Sequence, residues 1–88
     1  MPRRDRLLAR FERFPADFTW DELIRLLRLF GYEQAGSGKT GGSRVRFVRE
    51  GRPPINLHRP HPGNVVRRYQ LRQVHEFLLR EGLLGGQE

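Results

Sequence analysis

His58 and His61 stand three residues apart in a chain with one other histidine and no cysteine. Histidine exchanges protons near neutral pH, so either could take the proton of a ribose 2′-hydroxyl or return one to a departing 5′-oxygen. Arg44 and Arg46 sit on a neighbouring segment, where a guanidinium could stabilise charge developing on a phosphate. The histidine pair is a poor metal site. Catalytic zinc usually has three protein ligands, Arg59 lies between these two, and no carboxylate lies nearby in sequence. No metal and no cofactor is expected. The plainer roles compete with catalysis on the residues alone: His58 ends a strand and His61 fills a proline-rich turn. His75 reads as a partly exposed helical residue.

Gly38-Lys39-Thr40 has the look of a phosphate loop but not its grammar. The glycine required five residues before Gly38 is Glu33, and the lysine precedes a strand instead of opening a helix. Lys39 is better suited to presenting a single charge to a nucleic-acid phosphate. Arg59, Arg67 and Arg68 are further candidates for phosphate contact. Tyr69 follows them and could stack on a base. Trp20, Phe30 and Phe47 could also stack on bases, yet they occupy positions a core requires.

The charge balance points the same way. Seventeen Lys+Arg face ten Asp+Glu, a net charge of +7, and every cation except Lys39 is arginine. Such a balance is the footprint of a nucleic-acid binder, and the planar arginine fork suits phosphate. No stretch approaches the roughly 20 apolar residues that cross a bilayer. The N-terminus lacks the apolar run of a secretory signal, and Asp5, Glu12 and Asp17 argue against an organellar presequence. A cytoplasmic location without membrane attachment is expected.

Four kinds of local signal place these residues. Leu7, Leu8, Phe11 and Phe14 share one side of a short helix that ends before Pro15. Thr19 and Glu22 form a capping box that opens a second helix, with Trp20, Leu23, Ile24, Leu27 and Phe30 as its stripe and Gly31 as its stop. Tyr32 to Ala35, Ser43 to Val48 and the Ile55–His58 stretch read as three strands, with Glu50-Gly51-Arg52 a turn and Pro53-Pro54 bounding the third. A last helix runs from about Tyr69 to Glu81, its stripe being Leu71, Val74, Phe77 and Leu78. The expected class is α+β, a three-stranded antiparallel sheet with helices packed on one face. Val45, Phe47, Ile55 and Leu57 would then face the helices. Arg44, Arg46, Asn56 and His58 would share the open face.

The stretches Phe18–Leu27, Gly31-Tyr32, Gly42–Phe47, Ile55–Gly63 and Tyr69–Val74 together resemble the HicA toxin family. The resemblance covers about Phe18 to Leu84. Residues 1–17 are left as an amphipathic extension and residues 85–88 as a frayed tail. It implies a core like a double-stranded-RNA-binding domain, metal-independent cleavage of mRNA, and restraint by a HicB-like antitoxin. Family members that cut RNA typically carry histidine after the glycine-serine pair, where this chain has Arg44. Arginine stays protonated and cannot act as a general base. Proton transfer must then fall to His58 or His61, or the protein binds RNA without cutting it. A third role is a protein-interaction domain whose basic face docks an acidic antitoxin.

Overall fold

Thr19 and Glu22 satisfy each other's backbone across the start of a helix. The Glu22 amide donates to Thr19 Oγ1 at 3.2 Å, and the Thr19 amide donates to Glu22 Oε1 at 2.9 Å. The helix they open is the second of three among the described residues. The computed structural model describes residues 3–35 and 44–84. Its elements are α1 (Arg3–Phe11), α2 (Trp20–Leu29), β1 (Glu33–Gln34), β2 (Arg44–Arg49), β3 (Arg52–His58) and α3 (Arg68–Arg80). The glycine loop with Lys39, the Gly42-Ser43 pair and the tail 85–88 lie outside the described residues.

The element order is as expected, with differences at the edges. α1 stops at Phe11, and Phe14 takes a left-handed backbone with φ of 50°. The stripe of α2 buries Leu26 beside Trp20, Leu23 and Leu27, while Ile24 and Phe30 are only partly covered. β3 begins at Arg52, so both prolines lie inside it. That is tolerated because β3 is an edge strand and the β2–β3 ladder slips between Phe47 and Arg49.

The sheet is antiparallel in the order β1-β2-β3. Val45 pairs with Leu57 and Phe47 with Ile55. Phe47, Ile55 and Leu57 are buried in one core with Leu23, Leu26 and Leu27 of α2 and Leu71, Val74 and Leu78 of α3. Gly31 ends α2 with φ of 85°, and a Cβ there would come within 3.1 Å of the Arg49 side chain. Arg49 also donates to the Phe30 carbonyl at 3.0 Å, satisfying an acceptor at the helix end. Arg52 reaches across to the carbonyl and carboxylate of Glu81, fastening the β2–β3 turn to the end of α3.

α1 belongs to the same core. Phe11 has no exposure and packs against Phe14, Phe18 and His75. Full burial of a phenylalanine is worth roughly 1.5–3 kcal/mol. Arg10 supplies the polar half of the joint. Its Nε and Nη2 meet the two Glu22 oxygens, each at 3.1 Å, and Nη1 meets Asp17 Oδ1 at 3.1 Å. The Arg10 hydrogen bonds hold the Glu22 carboxyl below the ordinary carboxylate range against the opposing effect of burial, with help from the Thr19 amide.

A carboxyl with a lowered folded-state pKa stabilises the fold above its unfolded pKa. That contribution fades as pH falls through the folded value. Urea unfolding followed from pH 7 into acid is therefore expected to lose stability more steeply below about pH 5 in wild type than in Glu22→Gln. An equally steep acid limb in Glu22→Gln would contradict the Arg10–Glu22 coupling. At pH 7, Thr19→Ala is expected to cost about 1 kcal/mol by the same measurement.

Candidate nucleic-acid interface

Because Phe47 and Ile55 face inward, their neighbours in β2 and β3 must face out. Arg44 lies directly opposite His58, and Arg46 directly opposite Asn56. All four are exposed on the sheet face that the helices leave uncovered. Hydrogen bonding settles how the first pair is arranged. The His58 amide donates to Gln70 Oε1 at 2.9 Å, and Gln70 Nε2 donates to the His58 carbonyl at 2.9 Å. With both backbone groups turned toward α3, His58 faces Arg44 as a non-hydrogen-bonded pair. This is the closer kind, with Cα atoms roughly 4.5 Å apart.

Gln70 is itself buried, the one polar side chain among the buried described residues. Its amide acts as a one-residue extra strand along the free edge of β3. It ties the end of that strand to the first turn of α3. Around this clamp, His58, Arg59, His61, Arg67 and Tyr69 line a hollow of about 460 Å³. Arg67 caps α3 with no side-chain hydrogen bond. Tyr69 is 54% exposed.

The loop that carries His61 is held from the other side. The Trp20 amide donates to the Asn64 carbonyl at 2.7 Å, and the Val66 amide to the Phe18 carbonyl at 2.8 Å. Thr19 and Val65 form an isolated antiparallel bridge between them. The Arg59 guanidinium lies 5.9 Å from the Trp20 ring centre, within cation–π range. Trp20 in turn packs on Phe47 from within the core.

The structure thus brings His58, Arg59, His61 and Arg67 to one hollow and sets Arg44 and Arg46 on the adjoining sheet face. Arg68 goes elsewhere, donating to the Phe14 carbonyl at 2.9 Å. Lys39 lies outside the described residues. Trp20 and Phe47 are buried and Phe30 half-buried, so none offers a free stacking face. His75 is partly buried against Phe11 and Phe14 and 4.0 Å from Glu12. Among the described residues, no three His, Cys, Asp or Glu side chains gather as a metal site would need. Residue patterns gave no hint of Gln70, because its only signal is a polar residue beside Leu71 in the first turn of α3.

Among the described residues, three helices, a small antiparallel sheet and an arginine-bearing open face define a basic α+β domain. The family model described as the HicA toxin of bacterial toxin–antitoxin systems matches residues 20–81. The chain belongs to the HicA toxin family. It is a toxin of the toxin–antitoxin kind, and membership implies an antitoxin partner. No curated protein and no solved structure matched the chain. No helix among the described residues is long and apolar enough to cross a membrane.

Removing the clamp should loosen the site from its edge. Gln70→Leu leaves the amide and carbonyl of His58 unpaired and is expected to cost about 1–3 kcal/mol. Gln70→Glu still accepts from the amide but cannot donate to the carbonyl when ionised, so an intermediate loss is expected. Hydrogen exchange at the His58 amide is expected to speed up in Gln70→Leu relative to core amides. Unchanged exchange there would show that the clamp does not hold the strand.

Proposed function

We propose that the open face of β2 and β3 and the adjoining hollow bind mRNA and cleave it without a metal ion. One observation carries this reading. The residue that replaces the histidine usual in cleaving family members, Arg44, stands directly across the ladder from His58. A proton carrier is therefore present within one cross-strand spacing of the customary position, and a permanent cation has taken the position itself.

In this reading Arg44 and Arg46 hold a phosphodiester by charge-assisted hydrogen bonds. His58 accepts the proton of the adjacent ribose 2′-hydroxyl. That oxygen attacks phosphorus, the bond to the 5′-oxygen breaks, and His61 donates the proton that the leaving oxygen needs. The products are a 2′,3′-cyclic phosphate and a 5′-hydroxyl. Arg59 and Arg67 extend the cationic track, and Lys39 adds a further phosphate contact. Tyr69 offers an exposed ring on which a base can stack. A HicB-like antitoxin covering the face would silence the toxin. DNA lacks the 2′-hydroxyl and is not a substrate.

A second reading, RNA binding without cleavage, is favoured by Arg44, which cannot accept a proton at neutral pH. One assay separates the two. Purified protein is incubated with RNA in EDTA, alongside His58→Ala, His61→Ala and Arg46→Ala. His58→Ala is expected to lower cleavage by about 10²- to 10⁴-fold with the fold intact. Arg46→Ala is expected to weaken RNA binding and reduce its logarithmic salt slope by about 1. Intact RNA with salt-sensitive binding by wild type would establish the second reading. Neither cleavage nor salt-sensitive binding would overturn both.

A further inference from the structure

A second basic surface lies on the helical side of the molecule, away from the open sheet face. α1 and α2 enclose a groove of about 580 Å³ whose floor is Leu7 and Leu29 and whose rim carries Arg6, Arg25 and Arg28. Leu29 is 37% exposed. Arg25 and Arg28 are one turn apart on α2 and so point to the same side. The remaining lining residues, Arg10 and Glu22, neutralise each other through two hydrogen bonds. Among the described residues, no salt bridge joins Arg6, Arg25 or Arg28 to a carboxylate. Three rim cations therefore face an apolar floor with no ion-pair partner among the described side chains.

We propose that this groove docks an acidic, amphipathic peptide segment of a partner protein. Carboxylates of the segment meet Arg6, Arg25 and Arg28, and its apolar side chains cover Leu7 and Leu29. The chemistry of the floor decides against nucleic acid as the occupant. Bound bases stack on aromatic faces, and among the described residues no aromatic side chain lines the groove. A sugar–phosphate backbone would satisfy the arginines but leave both leucines wet. An amphipathic segment satisfies rim and floor together, the usual form of recognition of a peptide in a groove. The matched family region starts at residue 20, so the α1 wall of the groove lies outside it. The groove stands apart from the RNA reading of the sheet face and does not depend on it.

The test uses the full chain and a fluorescein-labelled 14-residue peptide with leucines and glutamates on opposite helical faces. Two control peptides replace the glutamates by glutamine or the leucines by serine. Anisotropy is expected to show salt-sensitive binding of the first peptide and at least about tenfold weaker binding of both controls, since rim charges and buried anchors each contribute. The double variant Arg25→Ala/Arg28→Ala is expected to weaken binding about tenfold and Leu29→Ser about fivefold. Both variants alter exposed positions, and circular dichroism checks their folds. Amide shifts in NMR spectra are expected at Leu7 and Leu29 and absent at Arg46 and Asn56. No peptide binding, equal binding of the glutamine control, or shifts confined to β2 and β3 would each overturn the proposal. So would displacement of the peptide from Leu7 and Leu29 by a 12-nucleotide single-stranded RNA.

Discussion

The pairing register of β2 and β3 is the constraint on which the arrangement of this molecule depends. A strand alternates its side chains, so seating Phe47 opposite Ile55 in the core leaves no choice for the residues on either side. Arg44, Arg46, Asn56 and His58 come out together on the open face because the hydrophobic pairs between them go in. A slip of one residue would bury two guanidiniums and expose the core, a cost no marginal domain could meet. The register is locked from both ends of β3. At one end, the slip at Phe47–Arg49 accommodates Pro53 and Pro54, and Arg52 ties the turn to Glu81. At the other, Gln70 pairs with the backbone of His58.

Arginine plays two separate parts here, and only the structure separates them. Arg10, Arg49, Arg52 and Arg68 spend their guanidiniums on carbonyls and carboxylates of the same chain. Arg49 and Arg52 satisfy acceptors at helix ends, where backbone carbonyls otherwise lack partners. Net charge alone therefore overstates the surface free for a ligand. Among the arginines that remain, Arg44, Arg46, Arg59 and Arg67 surround the sheet face and the hollow of His58 and His61, and Arg6, Arg25 and Arg28 line the groove between α1 and α2. The floors of the two groups differ in chemistry, with histidines and an exposed tyrosine in one and leucines in the other.

Local signals carried much of this architecture in the sequence. The Thr19–Glu22 box, the left-handed Gly31 and the alternation around Phe47 each involve residues a few positions apart, where chemistry and spacing are legible together. They were enough to place the helices, the sheet and the outward set Arg44, Arg46, Asn56 and His58. What could not be read depends on contacts between distant segments. Gln70 looks like any polar residue of a helical first turn until the edge of β3 is laid beside it. Arg10 looks like part of a solvated face until α1 is folded over Glu22, twelve residues away. The burial of Leu26 and the shortening of α1 at Phe11 likewise reflect where neighbouring elements lie. Of the candidate site, the shared face of Arg44 and His58 followed from alternation, whereas their direct pairing required the register and the hollow joining His58, His61 and Arg67 required the whole loop.

α1 shows how a small domain makes one element serve several ends. A chain of this length buries a modest share of its surface, so each large side chain brought into the core weighs heavily. Phe11 adds a fully buried ring, and Arg10 completes the polar network at the start of α2. The same Glu22 that receives Arg10 caps α2 with Thr19, and Thr19 is bridged to Val65 in the loop that carries His61. The walls of the helical groove and the walls of the histidine hollow thus meet at one helix end. Contiguity of this kind provides a route between two surfaces. It becomes coupling only if occupation of one changes the free energy of the other, and then the effect must be equal in both directions. The joint formed by Arg10, Glu22 and Thr19 is the contiguous link between them. It is built of charge-assisted hydrogen bonds, whose strength depends on geometry more steeply than apolar packing does.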